Sequence, residues 1–73
     1  MARRFAGERW LTGYCIQFEE DQAGVYYKFQ RESVTSPREP WPWRGGPFRT
    51  VSEAFLGASA EIRKLAQQRG ARP

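Results

Sequence analysis

An α+β fold, an antiparallel β-hairpin or three-stranded sheet packed against one C-terminal helix, is what the 73 residues predict. Three observations carry that expectation: period-two alternation in two neighbouring segments, a helix-capping box at Thr50, and one apolar stripe after it. A chain this short makes one domain at most and buries only roughly 60% of the surface its unfolded form exposes. Three Trp, three Tyr and five Phe supply the core that so few residues need.

From Trp10 to Phe18, alternate residues read Trp10, Thr12, Tyr14, Ile16 and Phe18 against Gly13, Cys15, Gln17 and Glu19, the pattern of a strand with one buried face. Val25, Tyr27 and Phe29 alternate with Tyr26, Lys28 and Gln30 in the same way. The acidic segment 19–24 between them ends in Gly24, which can take positive φ. Residues 9–31 are therefore expected to form a hairpin, with Phe18 facing Val25, Ile16 facing Tyr27 and Tyr14 facing Phe29. Its other face would present Cys15, Gln17, Tyr26, Lys28 and Gln30.

Residues 32–49 form a Pro/Gly-rich connection. Pro37, Pro40, Pro42 and Pro47 with Gly45 and Gly46 exclude a long central strand and leave room only for a short edge strand, around Trp41 to Trp43 or up to Phe48. The rings of Trp41 and Trp43 either cover the sheet or lie exposed. At Thr50-Val51-Ser52-Glu53 the Thr hydroxyl can cap the third helical amide while the Glu carboxylate reaches back to the Thr amide. Val51, Ala54, Phe55, Ala58, Ile62, Leu65 and Ala66 then form one stripe, so residues 50–69 are assigned to the helix and Gly70 to its end. Gly57 and Ala60 are expected on a flat outer face, with Leu56 projecting from it. Residues 1–8 and 70–73 are expected to be flexible ends.

The chemistry of catalysis is missing. There is no His to act as general base near neutral pH, Cys15 has no imidazole partner, and no Ser stands in a nucleophile motif. One Cys and no His exclude an internal disulfide and a zinc site. Glu19, Glu20 and Asp21 lack the spacing of a calcium loop, and Gly45-Gly46 lacks the Lys of a phosphate loop. The chain is thus read as non-enzymatic, without metal or cofactor. No stretch is long and apolar enough for a membrane span, and the N-terminus has no signal-peptide core, so the cytoplasm is the expected location.

The segment Gly46-Pro47-Phe48-Arg49-Thr50-x-x-Glu53-Ala54 after two strands resembles short bacterial proteins of unassigned role that carry a Gly-Pro-Phe-x-Thr-x-x-Glu-Ala signature. The layout of hairpin, third strand and helix is also similar to the arm-type DNA-binding domain of phage-type tyrosine recombinases. That resemblance implies a sheet that enters the major groove. The chain departs from the arm-type pattern in its acidic hairpin loop and its proline-interrupted third strand.

Two functions follow as expectations. The first is a protein-binding adaptor or inhibitor, of the kind mobile elements carry, whose partner meets Gln17, Tyr26, Lys28, Gln30, Arg38, Trp41, Trp43 and Arg44. The second is a small basic DNA- or RNA-binding accessory protein, favoured by a net charge of +4 and a cation set in which only Lys28 and Lys64 are lysines. In it, Gln17, Tyr26, Lys28 and Gln30 would read bases while Arg3, Arg4, Arg31, Arg38, Arg44 and Arg49 hold phosphates. A homodimer is expected as well, because Trp10, Tyr26, Trp41, Trp43, Phe48 and Leu56 exceed what one hairpin and one helix can bury.

Overall fold

The computed structural model describes residues 2–31 and 43–70. It is a four-stranded antiparallel sheet in sequential order, made of β1 (Arg4–Leu11), β2 (Tyr14–Asp21), β3 (Gly24–Arg31) and β4 (Trp43–Phe48), followed by helix α1 (Val51–Gly70). The α+β class is as the sequence predicts, with two more strands than the minimal hairpin. Arg38, Trp41 and the prolines at 37, 40 and 42 lie outside the described residues, as do residues 71–73.

The first departure is at the N-terminus. Residues expected to be flexible form most of β1, and Trp10 belongs to that strand rather than to the one carrying Phe18. Thr12 and Gly13 both take positive φ, 43° and 84°, the geometry of a tight two-residue hairpin turn. Such a turn brings Leu11 opposite Tyr14 and Trp10 opposite Cys15. An unbroken strand would put Trp10 and Tyr14 on one face; the turn puts them on opposite faces. The unpaired Ala6 between Phe5 and Gly7 further breaks the alternation, with Gly7 at φ 140°.

Between β2 and β3 the register is shifted by two from expectation: Phe18 faces Tyr27, Ile16 faces Phe29 and Glu20 faces Val25. The strands extend to Asp21 and resume at Gly24 around a two-residue turn, where Asp21 Oδ1 accepts the amides of Ala23 (2.8 Å) and Gly24 (3.3 Å). A shift of two preserves side-chain parity, so the expected buried face survives intact.

The core lies between that face and α1. Ile16, Phe18, Phe29 and Ile62 are its largest fully buried side chains, with Tyr14, Val25, Tyr27, Ala54 and Ala58 around them. An aromatic row crosses the sheet beneath the helix. Phe48 stacks on Tyr27, Tyr27 on Phe29 and Phe29 on Trp43, with centroids 5.1–5.8 Å apart, and Tyr14 meets both Phe29 and Trp43 edge-on. The helix packs mainly over β3 and β4 and least over β1.

Gly57 belongs to this inner surface, not to a flat outer one. A Cβ there would come within 2.8 Å of the Phe48 ring and 3.4 Å of Tyr27, so the missing side chain lets the helix close onto the aromatics. Ala60 is exposed as expected, and so is Ala66, the last member of the predicted stripe. The cap forms with one changed partner. The Glu53 amide donates to Thr50 Oγ1 at 3.1 Å, but the Glu53 carboxylate accepts the amide of Arg49, one residue earlier than expected, also at 3.1 Å. The helix, Val51–Gly70, takes in Gly70 as its last described residue, one beyond the 50–69 expected.

Ile62→Ala should cost about 2–5 kcal/mol, since its side chain is fully enclosed. Phe55→Ala should cost less, because Phe55 is only half-buried at the edge of the core. Thr50→Ala should cost about 1 kcal/mol. Urea unfolding of the three variants tests that order.

Candidate functional site

The helix packs on one face of the sheet only; on the other, the open face, Phe5, Trp10 and Arg44 are exposed, Gln17, Tyr26, Lys28 and Gln30 are half-buried and Cys15 is buried. Cross-strand partners share a face, so the register assigns its occupants. One row across all four strands reads Glu8, Gln17, Lys28, Arg44. On one side of it lie Trp10, Cys15 and Gln30, and on the other Phe5, Glu19 and Tyr26. Of the residues nominated from the sequence, Gln17, Tyr26, Lys28, Gln30 and Arg44 are brought together here. Trp43 is not: it is half-buried against Phe29 and Tyr14 on the helix side. Its assignment to a partner surface is corrected to a core role.

Two aromatics that sequence reasoning did not assign to this surface dominate it. Phe5 is 64% and Trp10 58% exposed. The Trp10 indole N–H donates to Glu8 Oε2 at 3.1 Å, and the Gln17 amide donates to Glu8 Oε1 at 3.3 Å. Glu8 thereby fixes the outer ring and the neighbouring amide together. The legible signal was Thr12-Gly13, a turn dipeptide inside an apparent strand.

At the other end, Arg3 lies over the Tyr26 ring, 3.5 Å from its centroid, and is steadied by Asp21 at 3.6 Å and Glu19 at 4.0 Å. Lys28 Nζ donates to Glu19 Oε2 at 3.4 Å, while on the opposite face of the sheet Arg4 pairs with Glu20 at 3.6 Å. A cleft of about 380 Å³ opens among Arg3, Glu19, Tyr26, Lys28, Arg44 and the Gly45-Gly46 backbone. Gly46 sits at φ 126°, where a Cβ would fall 2.9 Å from Tyr26 Cα, so close strand approach there requires glycine. The carboxylates at the end of β2, Glu19, Glu20 and Asp21, are thus matched by Arg3 and Arg4. Neither of those cations stands clear of its own sheet's acids.

A second surface lies on the helix side, where α1 leaves β1 poorly covered. An apolar groove of about 390 Å³ runs between Leu11 and Tyr14 and the helix residues Phe55, Leu56 and Ile62, beside Leu56, itself 66% exposed. Ser59 is buried next to it with its hydroxyl donated to the Phe55 carbonyl at 2.8 Å. Among the described residues no group of three or more His, Cys, Asp or Glu side chains could hold a metal ion, and no helix is long and apolar enough to cross a membrane.

Comparison with family models, curated proteins and solved structures finds no match.

Burial raises the Tyr27 hydroxyl above the ordinary phenol range, and the Glu61 carboxylate adds to the rise. The folded state therefore keeps this proton after the unfolded chain has lost it. Stability from this group is complete below a pH of about 10 and is lost as pH climbs above that. Tyr27→Phe should flatten that alkaline loss, which thermal melts between neutral and strongly alkaline pH would show.

Proposed function

We propose that the chain is a non-enzymatic protein-binding module, of adaptor or inhibitor type, that docks its partner on the open face of the sheet. The observation that supports this most is the pair Phe5 and Trp10, two large rings left more than half exposed on one face of β1. Aromatic anchors set among polar groups are the composition of a binding hot spot. The hydrogen bonds through Glu8 hold Trp10 and Gln17 in place before a partner arrives, which lowers the entropy lost on binding. The cytoplasmic location and mobile-element setting expected from the sequence go with this reading.

Edge pairing is the poorer route to a partner. β1 carries a bulge and the charged Arg4, Glu8 and Arg9, and β4 carries Pro47, all devices that discourage strand addition. The nucleic-acid reading, and the arm-type resemblance with it, is supported by the net charge and by Arg44 beside Lys28. Against it, Gln17 and Lys28 are engaged by Glu8 and Glu19, and Arg3 by Asp21. A phosphate backbone laid on this face would meet those carboxylates.

Affinity capture from source-cell lysate, with and without nuclease, separates the two. A captured protein should persist after nuclease and in moderate salt, and Trp10→Ala should weaken it roughly 30-fold, the loss of one hot-spot side chain. Capture that vanishes with nuclease, or a log–log salt slope steepening by about 0.9 per phosphate, would replace this reading with the nucleic-acid one.

The homodimer proposal moves to the groove beside Leu56, now that Trp43 and Phe48 are accounted for in the core. Sedimentation equilibrium over micromolar concentrations should show a dimer that Leu56→Lys reverts to monomer. Monomer mass throughout rejects it.

A further inference from the structure

We propose that the helix side of β1, together with the groove beside Leu56, seats a second helix supplied by a partner protein, an amphipathic helix with an apolar stripe flanked by acidic residues. This goes beyond the open-face reading, because the two surfaces lie on opposite sides of the sheet. It also gives the groove a stronger occupant than a second copy of the chain.

Four strands at about 4.8 Å spacing put the outer strand axes roughly 14 Å apart, whereas one helix with its side chains is about 10–12 Å across. One such helix cannot cover four strands. α1 takes β3 and β4 and has least contact with β1, which on this side carries Gly7, Arg9 and Leu11, the cross-strand neighbours of the core residues Phe18, Ile16 and Tyr14. Gly7 keeps the floor low. A Cβ there would meet nothing nearer than Phe18 at 3.9 Å. Leu11 then joins Tyr14, Phe55, Leu56 and Ile62 in the apolar groove of about 390 Å³. The helical wall of the groove, Phe55 to Ala66, runs for roughly 17 Å, or three turns. Apolar side chains at positions i, i+4 and i+7 of a facing helix match that length.

Charge decides which kind of helix fits. Arg63 lines the groove, and Arg9 stands on the same side of β1 as Leu11. Both are exposed, and among the described residues neither makes a hydrogen bond or an ion pair. No carboxylate lines the groove. The acids nearest in the fold have other roles: Glu20 pairs with Arg4 at the far end of β1, Glu53 caps α1, and Glu61 acts on Tyr27 in β3. A purely apolar helix laid here would strip water from two unmatched guanidiniums, a cost that acidic neighbours offset. A second copy answers this poorly, because its own α1 presents Arg63 and Lys64 on the exposed side that carries Leu56. It would set cation against cation. A nucleic-acid backbone would match the arginines but leave the apolar groove facing phosphates.

The test is selection from a displayed library of helix-forming peptides of about 14 residues, roughly 20 Å long, randomised along one face and panned against the intact chain. Enriched peptides should carry apolar residues at i, i+4 and i+7 with Asp or Glu beside them. Changing those acids to Lys should weaken binding roughly ten-fold, as expected for close charge pairs, and protein carrying Arg9→Glu and Arg63→Glu together should prefer the Lys form. Both arginines are exposed, so the double variant should keep the circular dichroism and melting temperature of the parent; Arg9→Gln with Arg63→Gln is the milder second variant. Leu56→Lys should weaken every selected peptide, and Trp10→Ala on the opposite face should weaken none. No enrichment, enrichment without acids, or peptides indifferent to the arginine variants and to Leu56→Lys would overturn the proposal. So would displacement of the peptides by a short DNA duplex in moderate salt, or a dimer that persists in sedimentation at saturating peptide. Peptides lost on Trp10→Ala but not on Leu56→Lys would sink this inference and leave the open-face reading standing.

Discussion

The close seating of one helix on two strands governs the rest of this protein. Gly57, Ala54 and Ala58 place backbone and methyl groups, not larger side chains, against Tyr27, Phe29 and Phe48. A domain of this size has little burial to spare, and such an approach lets a single helix enclose Phe18, Phe29 and Ile16 fully. Close contact over β3 and β4 leaves little helix for β1. That asymmetry produces the groove beside Leu56, while Phe5 and Trp10 lie on the face the helix does not touch.

The open face is held together by its own charges. Glu8, Glu19 and Asp21 each engage a donor or cation on or beside the sheet. Exposed pairs of this type add little stability one by one, since solvent screens them and long side chains lose freedom in making them. Their effect is on placement. Glu8 sets the Trp10 ring, and Asp21 with Glu19 sets Arg3 over Tyr26, so this surface is ordered at both ends. The basic net charge of the chain is accordingly a poor guide to this face, where acids and cations are intermixed.

Much of the architecture was legible in local pattern. The alternation from Tyr14 to Phe18 and from Val25 to Phe29 identifies the two central strands and their buried side, because a sheet packed on one face demands period two. The capping box at Thr50 and the stripe through Ile62 identify the helix. Gln17, Tyr26, Lys28 and Gln30 were assignable to the opposite face by the same parity, and a register slip of two residues could not disturb that assignment.

Tertiary structure alone decided the features that depend on parity reversal or on distant neighbours. Thr12-Gly13 continues an apparent alternation in the sequence, yet as a two-residue turn it sends Trp10 to the face opposite Tyr14. The Ala6 bulge hides the period of β1 in the same way, so Phe5 carried no strand signal. Trp43 reads alike as anchor or core until Phe29 is seen stacked on it, and Gly57 reads as a flat outer position until Phe48 is found against it. The sequence by itself determined the elements and the faces of the central strands, since those follow from hydrogen-bond geometry within a few residues. The choice of which aromatics become core and which stay exposed depended on the turn and the bulge that set the faces of β1 and on where the helix seats, none of which the alternation of side chains contains.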